Sequence, residues 1–215
     1  MAIKKDGTWH GVTGNISFYK RNGIEVMRLT PKTKKTISPA FAEAQRHFAF
    51  VLNLVKKFKP VVDIGYKDFE LPKYPYNIAM SRNLNKYKFA RRDNKTENLS
   101  WFEFSKGELS NAASFEATLD SDNKFTITWS GTDEWTAHHD DDNLIAVIYN
   151  KTKDLAQICA DGIIRKAGKS EILLKDTVKG DVLEVFVMFH VHQYKYKAAS
   201  KENVSDSKWL GQYTV

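Results

Sequence analysis

A change of period near residue 98 constrains this chain more than any other feature. Downstream of Asn98, short β-rich runs recur: Leu99 to Phe104, Ser114 to Leu119, Lys124 to Trp129, Leu144 to Tyr149, Leu155 to Cys159, Glu171 to Leu174, Val182 to His192 and Trp209 to Val215. Turn-forming groups separate them, among them Lys106-Gly107, Asp120 to Asn123, Ser130-Gly131, Asp161-Gly162 and Lys179-Gly180-Asp181. Seven or eight strands with turns at this spacing predict an antiparallel β-sandwich of immunoglobulin or fibronectin type. Trp129, at the end of Thr126-Ile127-Thr128-Trp129, alternates inward as a core anchor. The chain has one cysteine, Cys159, so the disulfide that staples many such sandwiches is impossible and the fold must stand on burial.

Upstream the pattern is different. Between Thr8 and Leu29, Trp9, Val12, Ile16, Phe18, Tyr19, Ile24 and Val26 are punctuated by Gly11, Gly14 and Gly23, which fits short strands and tight turns. Asn22-Gly23 predicts a hairpin between Ile16–Tyr19 and Ile24–Met27. These glycines are no phosphate-binding loop, because no Gly-Lys-Ser/Thr follows and the strand-then-helix context is missing. Ser38-Pro39 then starts a helix, with Ser38 as N-cap and Pro39 in the first turn, where its missing N–H costs nothing. Phe41, Ala44, Phe48, Leu52 and Val55 recur at three- and four-residue steps and are expected to face a core, with Pro60 closing the helix. A loop containing Gly65, Pro72 and Pro75 leads to a second helix near Tyr76 to Tyr87, with Ile78, Met80, Leu84 and Tyr87 available for burial.

Charge follows the same division. Residues 1–95 carry 20 Lys plus Arg against 7 Asp plus Glu, a net of +13, and residues 96–215 carry 13 against 19, a net of −6. The whole-chain charge of +7 conceals this asymmetry. It suits either two partners or a self-complementary contact between copies, beside the plainer reading of two solvated surfaces. Basic residues interleave with aromatics around the helices: Lys32, Lys34 and Lys35 before the first, Lys56 and Lys57 at its end, and Lys86, Lys88, Arg91 and Arg92 beside Tyr87 and Phe89. That mixture suits nucleic-acid or partner contact, although no zinc-finger, RNP-type or helix-turn-helix signature is present.

Residues able to do chemistry are sparse. His190 and His192, which share one strand face, could form a zinc site with His138 or His139, and Asp140, Asp141 and Asp142 could weakly attract calcium; the alternative, and the expectation, is a solvated loop and surface histidines with no metal. Cys159 sits in an apolar run without an evident base and reads as a small core residue. Nucleophile-elbow, His-Glu-x-x-His and Cys-x-x-Cys motifs are absent. The expectation is therefore a chain that is not an enzyme and uses no cofactor.

Longer motifs point to a family. Met1 to Gly7, the Gly11 and Gly14 pair followed by Phe18-Tyr19-Lys20 and Val26-Met27-Arg28, Ala42 to Phe48, and Asp63-Ile64-Gly65-Tyr66-Lys67 resemble an uncharacterised family common in Bacteroidota. Leu144 to Asn150, Gly180-Asp181 and Trp209-Leu210-Gly211 extend that resemblance over nearly the whole chain. It implies a β-rich C-terminal domain and brings no assigned activity or catalytic residues. Trp9-His10-Gly11 departs from the pattern, where the family more often has further glycine.

The expected architecture is mainly β with a helical segment (α+β): a basic region at 1–95 with a hairpin arm and helices, and an acidic sandwich at 96–215. The expected role is structural, a self-associating subunit of a virion or other multimeric shell. Nucleic-acid binding through the basic half is the alternative, and a cell-surface adhesion module comes third. No run reaches the roughly 20 apolar residues of a membrane span, and the charged start leads into no signal-peptide core, which suits a cytoplasmic or virion-associated protein.

Overall fold

The computed structural model describes residues 2–5, 7–21, 23–30, 37–67, 69, 74–120, 123–131, 140–160, 162–191 and 203–215. The chain divides into two compact units, Met1–Gln45 and Arg46–Val215.

The first unit is a four-stranded antiparallel meander of β1 (Ile3–Lys5), β2 (Thr8–Thr13), β3 (Ile16–Arg21) and β4 (Ile24–Leu29), paired in chain order. The hairpin closes where expected: Arg21 pairs with Ile24, and Gly23 has φ of 82°, a conformation that costs glycine nothing. Asn22 lies outside the described residues. Phe18 sits opposite Met27, and the Trp9 ring is 6.4 Å from Phe18, so all three share one face. Among the described residues of this unit only Thr8 is buried.

The helix α1 (Pro39–Lys57) begins as its sequence dictates, with the Phe41 N–H donating to Ser38 Oγ at 3.3 Å. Its buried face keeps the C-terminal end of the expected stripe, with Val55 buried and Leu52 partly buried against the core, and departs from the rest. Val51, Leu54 and Val55 are buried, and Phe58 follows them, whereas Phe41 and Phe48 are about half exposed. Aromatic residues occur on several sides of this helix, so apolar spacing alone does not select the inward one. Pro60 does not end the helical region either. It occupies the first turn of α2 (Lys59–Gly65), where no N–H is required, and thereby starts a helix where a loop was expected. The next helix, α3 (Pro75–Arg92), buries Ile78 and Met80 and half-buries Leu84 and Tyr87.

All other strands are antiparallel. β5 (Ser114–Leu119), β6 (Lys124–Ser130) and β9 (Lys169–Leu173) form one sheet in the order β5-β6-β9. The other, in the order β11-β10-β7-β8, contains β7 (Asn143–Asn150), β8 (Leu155–Cys159), β10 (Val182–His190) and β11 (Lys208–Thr214). The four-stranded sheet is covered on both faces. Phe186, Met188, Ile145 and Val147 pack with the helices, while Val185, Val187, Leu144 and Ala146 meet Phe125, Ile127 and Trp129 of the three-stranded sheet. Burial on both sides explains why β7 and β10 read as continuous apolar runs rather than alternating ones. Trp129 is the anchor expected, its Nε1 donating to the Arg165 carbonyl at 2.7 Å. Leu99 to Phe104 is not a strand; this irregular segment drives Leu99, Trp101, Phe102 and Phe104 into the helical core.

Candidate partner face on the helical layer

The structure gathers part of the basic and aromatic set on one side of α1 and α3. His47 and Phe50 of α1 lie against Tyr87 of α3, with ring centroids 5.7 and 5.2 Å apart, and the Tyr87 ring meets that of Trp101 at 4.9 Å with the planes tilted by 51°. Arg91 Nη1 sits 2.9 Å from His47 Nδ1 at the edge of this cluster. Phe50 is 42% exposed, so the cluster presents an aromatic surface with a guanidinium beside it.

The remaining basic residues do not join that surface. At 100° per residue Lys88 and Arg92 share the outer face of α3, while Lys86 and Arg91 fall on opposite flanks. Arg92 Nε donates to Asp93 Oδ1 at 3.0 Å and its guanidinium lies 5.3 Å from the Phe89 ring centre. Lys86 turns inward to pair with Glu103. Lys57 is also committed: it pairs with the Asp154 carboxylate and donates to the Asp154 carbonyl at 2.9 Å, tying α1 to the β7–β8 turn. That bond, with one from Tyr149, holds the Asp154 carboxyl below its usual range. Lys56 is exposed. Lys32, Lys34 and Lys35 lie outside the described residues.

Glu103 organises the site from below. Its Oε1 accepts from the Tyr66 hydroxyl at 2.9 Å and from Arg82, its Oε2 meets Lys86, and its backbone is bracketed by Asn83 through bonds of 2.9 Å in both directions. Burial pushes the Glu103 carboxyl up, but hydrogen bonds from Arg82 and Lys86 outweigh it and hold the group below its ordinary value. Burial and the adjoining carboxylate push the Tyr66 phenol strongly up. A second buried acid, Glu184, accepts from Trp209 Nε1 at 2.8 Å and the Leu99 N–H at 3.2 Å, and desolvation raises its pKa. Both are lone carboxylates inside apolar runs, Trp101-Phe102-Glu103-Phe104 and Val182 to His190. That sequence signal could have found them.

The candidate metal ligands do not converge where they are described. Asp142 is buried against Arg165, whose Nε donates to it at 3.2 Å, while Asp140 lies 3.8 Å from exposed Lys166. His138, His139 and His192 lie outside the described residues. Among those described, no group of three or more His, Cys, Asp or Glu is placed to hold a metal ion. Burial pushes the half-buried Cys159 thiol up, away from the reactive thiolate. A cavity of about 330 Å³ opens beside β8, lined by Ile148, Leu155, Ile158, Leu183 and the 174–177 turn. Gln157 ties its rim together, donating to the Leu173 carbonyl at 2.9 Å and accepting from the Lys175 N–H at 3.0 Å.

These features define an antiparallel α+β protein with a helical layer over β-sheet. The chain belongs to the Family of unknown function (DUF6266), whose pattern it matches over residues 7–211. No curated protein and no solved structure matches it. Among the described residues no helix is long and apolar enough to cross a membrane.

Proposed function

We propose that this chain is a non-enzymatic assembly subunit, one copy of a multimeric shell such as a virion, joined to its neighbours through its N-terminal sheet. One observation carries the reading. The first unit has four strands yet buries only Thr8 among its described residues, while Ile3, Trp9, Val12, Ile24, Met27 and Leu29 are exposed. A sheet this small without a core is not stable alone and gains its stability by pairing with another copy. The excess of +13 over residues 1–95 and −6 over residues 96–215 supplies opposite charges for further contacts between copies beyond that sheet, as a shell requires.

The strand order supports an immunoglobulin-like sandwich as the body of the subunit. Numbering β5 to β11 as A to G puts A-B-E in one sheet and G-F-C-D in the other. The fourth strand thus joins the G-F-C sheet, the fibronectin-type arrangement, rather than the A-B-E sheet of constant immunoglobulin domains.

Light scattering on the full chain over a range of concentration and salt tests the reading. The expected result is a mass that grows with concentration and falls as salt screens the charge contact. A monomer under every condition would overturn it. Retention on single-stranded DNA that Lys88→Glu abolishes, with the mass unchanged, would replace assembly by nucleic-acid binding.

A further inference from the structure

Building on the assembly reading above, we infer that the joint is the outer edge of β4, which no described strand occupies, and that its occupant is β4 of a second copy, paired antiparallel about a two-fold axis through Met27. The two edges of the N-terminal meander are unequal. β1 is three residues long and two of them are Lys4 and Lys5, the kind of charged, short edge that discourages strand addition. β4, Ile24-Glu25-Val26-Met27-Arg28-Leu29, is six residues long, has neither Lys nor Pro, and leaves Ile24, Met27 and Leu29 each more than two-thirds exposed. Among the described strands none pairs with its outer side, and only another β4 matches its length within this unit while avoiding the lysines of β1.

Backbone geometry sets the register. The Thr30 N–H donates to the Asn15 carbonyl at 2.6 Å. By the alternation of an antiparallel ladder, Arg28, Val26 and Ile24 therefore turn their polar groups toward β3, and Leu29, Met27 and Glu25 turn theirs outward. A two-fold pair that uses all three outward residues sets Met27 against Met27 of the second copy, with Glu25 against Leu29 in both directions. Any shift leaves at least one outward residue without a partner. In this register no like charges stand opposite: Glu25 meets Leu29, and Arg28 meets Val26. An axis perpendicular to the sheet also keeps faces together, so Trp9, Phe18 and Met27 of both copies line one side of an eight-stranded sheet.

The full-length chain tests this by mass and by cross-linking. Met27→Pro removes an outward N–H that β3 does not use, and Met27→Lys sets two like charges opposite each other at the centre of the pair without touching the backbone. In salt that screens the charge contacts the parent is expected at about twice the 24.7 kDa chain mass, and both variants at half the parent's mass with the melt of the Arg46–Val215 unit retained. In a Cys159→Ser background, Met27→Cys should oxidise to a covalent dimer, since opposed residues in such a pair have Cα atoms about 5.5 Å apart. Ile24→Cys should not, because its counterpart lies six residues away in register, about 20 Å at 3.3 Å per residue. A parent-like mass in both Met27 variants would overturn the β4 joint while leaving assembly standing. A monomeric parent would overturn both, and equal cross-linking at the two cysteine positions would overturn the register.

Discussion

Phe58 and Phe48 offer a controlled comparison, the same side chain ten residues apart in one helical run with opposite surroundings. Phe58 is fully buried, its ring centre 4.8 Å from Phe104, 5.3 Å from Tyr149 and 5.6 Å from Phe102, whereas Phe48 is 48% exposed. Truncating a buried phenylalanine to alanine costs about 3 to 5 kcal/mol, the sum of lost transfer energy and the cavity left behind. At about 2 to 4 °C per kcal/mol for a body of this size, Phe58→Ala should lower Tm by roughly 6 to 20 °C. An exposed substitution stays within about 0.5 kcal/mol, so Phe48→Ala should leave Tm nearly unchanged. Thermal and urea unfolding followed by far-UV circular dichroism, at a concentration where the parent is monomeric, measure the Tm shift and the free-energy loss of both. A Phe58→Ala loss below about 1 kcal/mol, or equal losses for the two, would refute the assignment of the buried face of α1.

Two further substitutions probe the helical layer. Gly65 lies where an added Cβ would strike the Phe104 carbonyl and sit 2.6 Å from Ser105 Cβ, so Gly65→Ala should destabilise by about 1 to 3 kcal/mol, read as a fall in the urea midpoint. Glu103 has a depressed carboxyl pKa, so its ionised form stabilises the fold above the unfolded value near 4.5, and that contribution is lost as pH falls. Glu103→Gln should be less stable than the parent at pH 7, with the difference shrinking as pH drops through and below that value; a pH-independent difference would contradict the role given to its charge.

Local grammar was the part of this structure most legible in the sequence. Ser38 and Pro39 start α1 because capping chemistry acts over three residues, and the strands from Ser114 onward fall close to their expected bounds because turn residues separate them. What escaped was long-range. Leu99 to Phe104 has strand-like composition, but its side chains fill the space beneath α1 and α3, so packing rather than a ladder orders it. Lys57 and Lys86 read as free cations because Asp154 and Glu103, which claim them, are far away in sequence. Arg91 reaches His47 across 44 positions, a pairing no local pattern encodes.

Hydrogen–deuterium exchange on the full chain at two protein concentrations tests most directly whether the N-terminal sheet depends on another copy. Amides of β7 and β10, buried on both faces, should be protected equally at both concentrations. Those of residues 16–30 should exchange rapidly when light scattering reports a monomer and become protected as the assembly forms. Full protection of residues 16–30 in the monomer would contradict the account, because the sheet would then be stable without a partner.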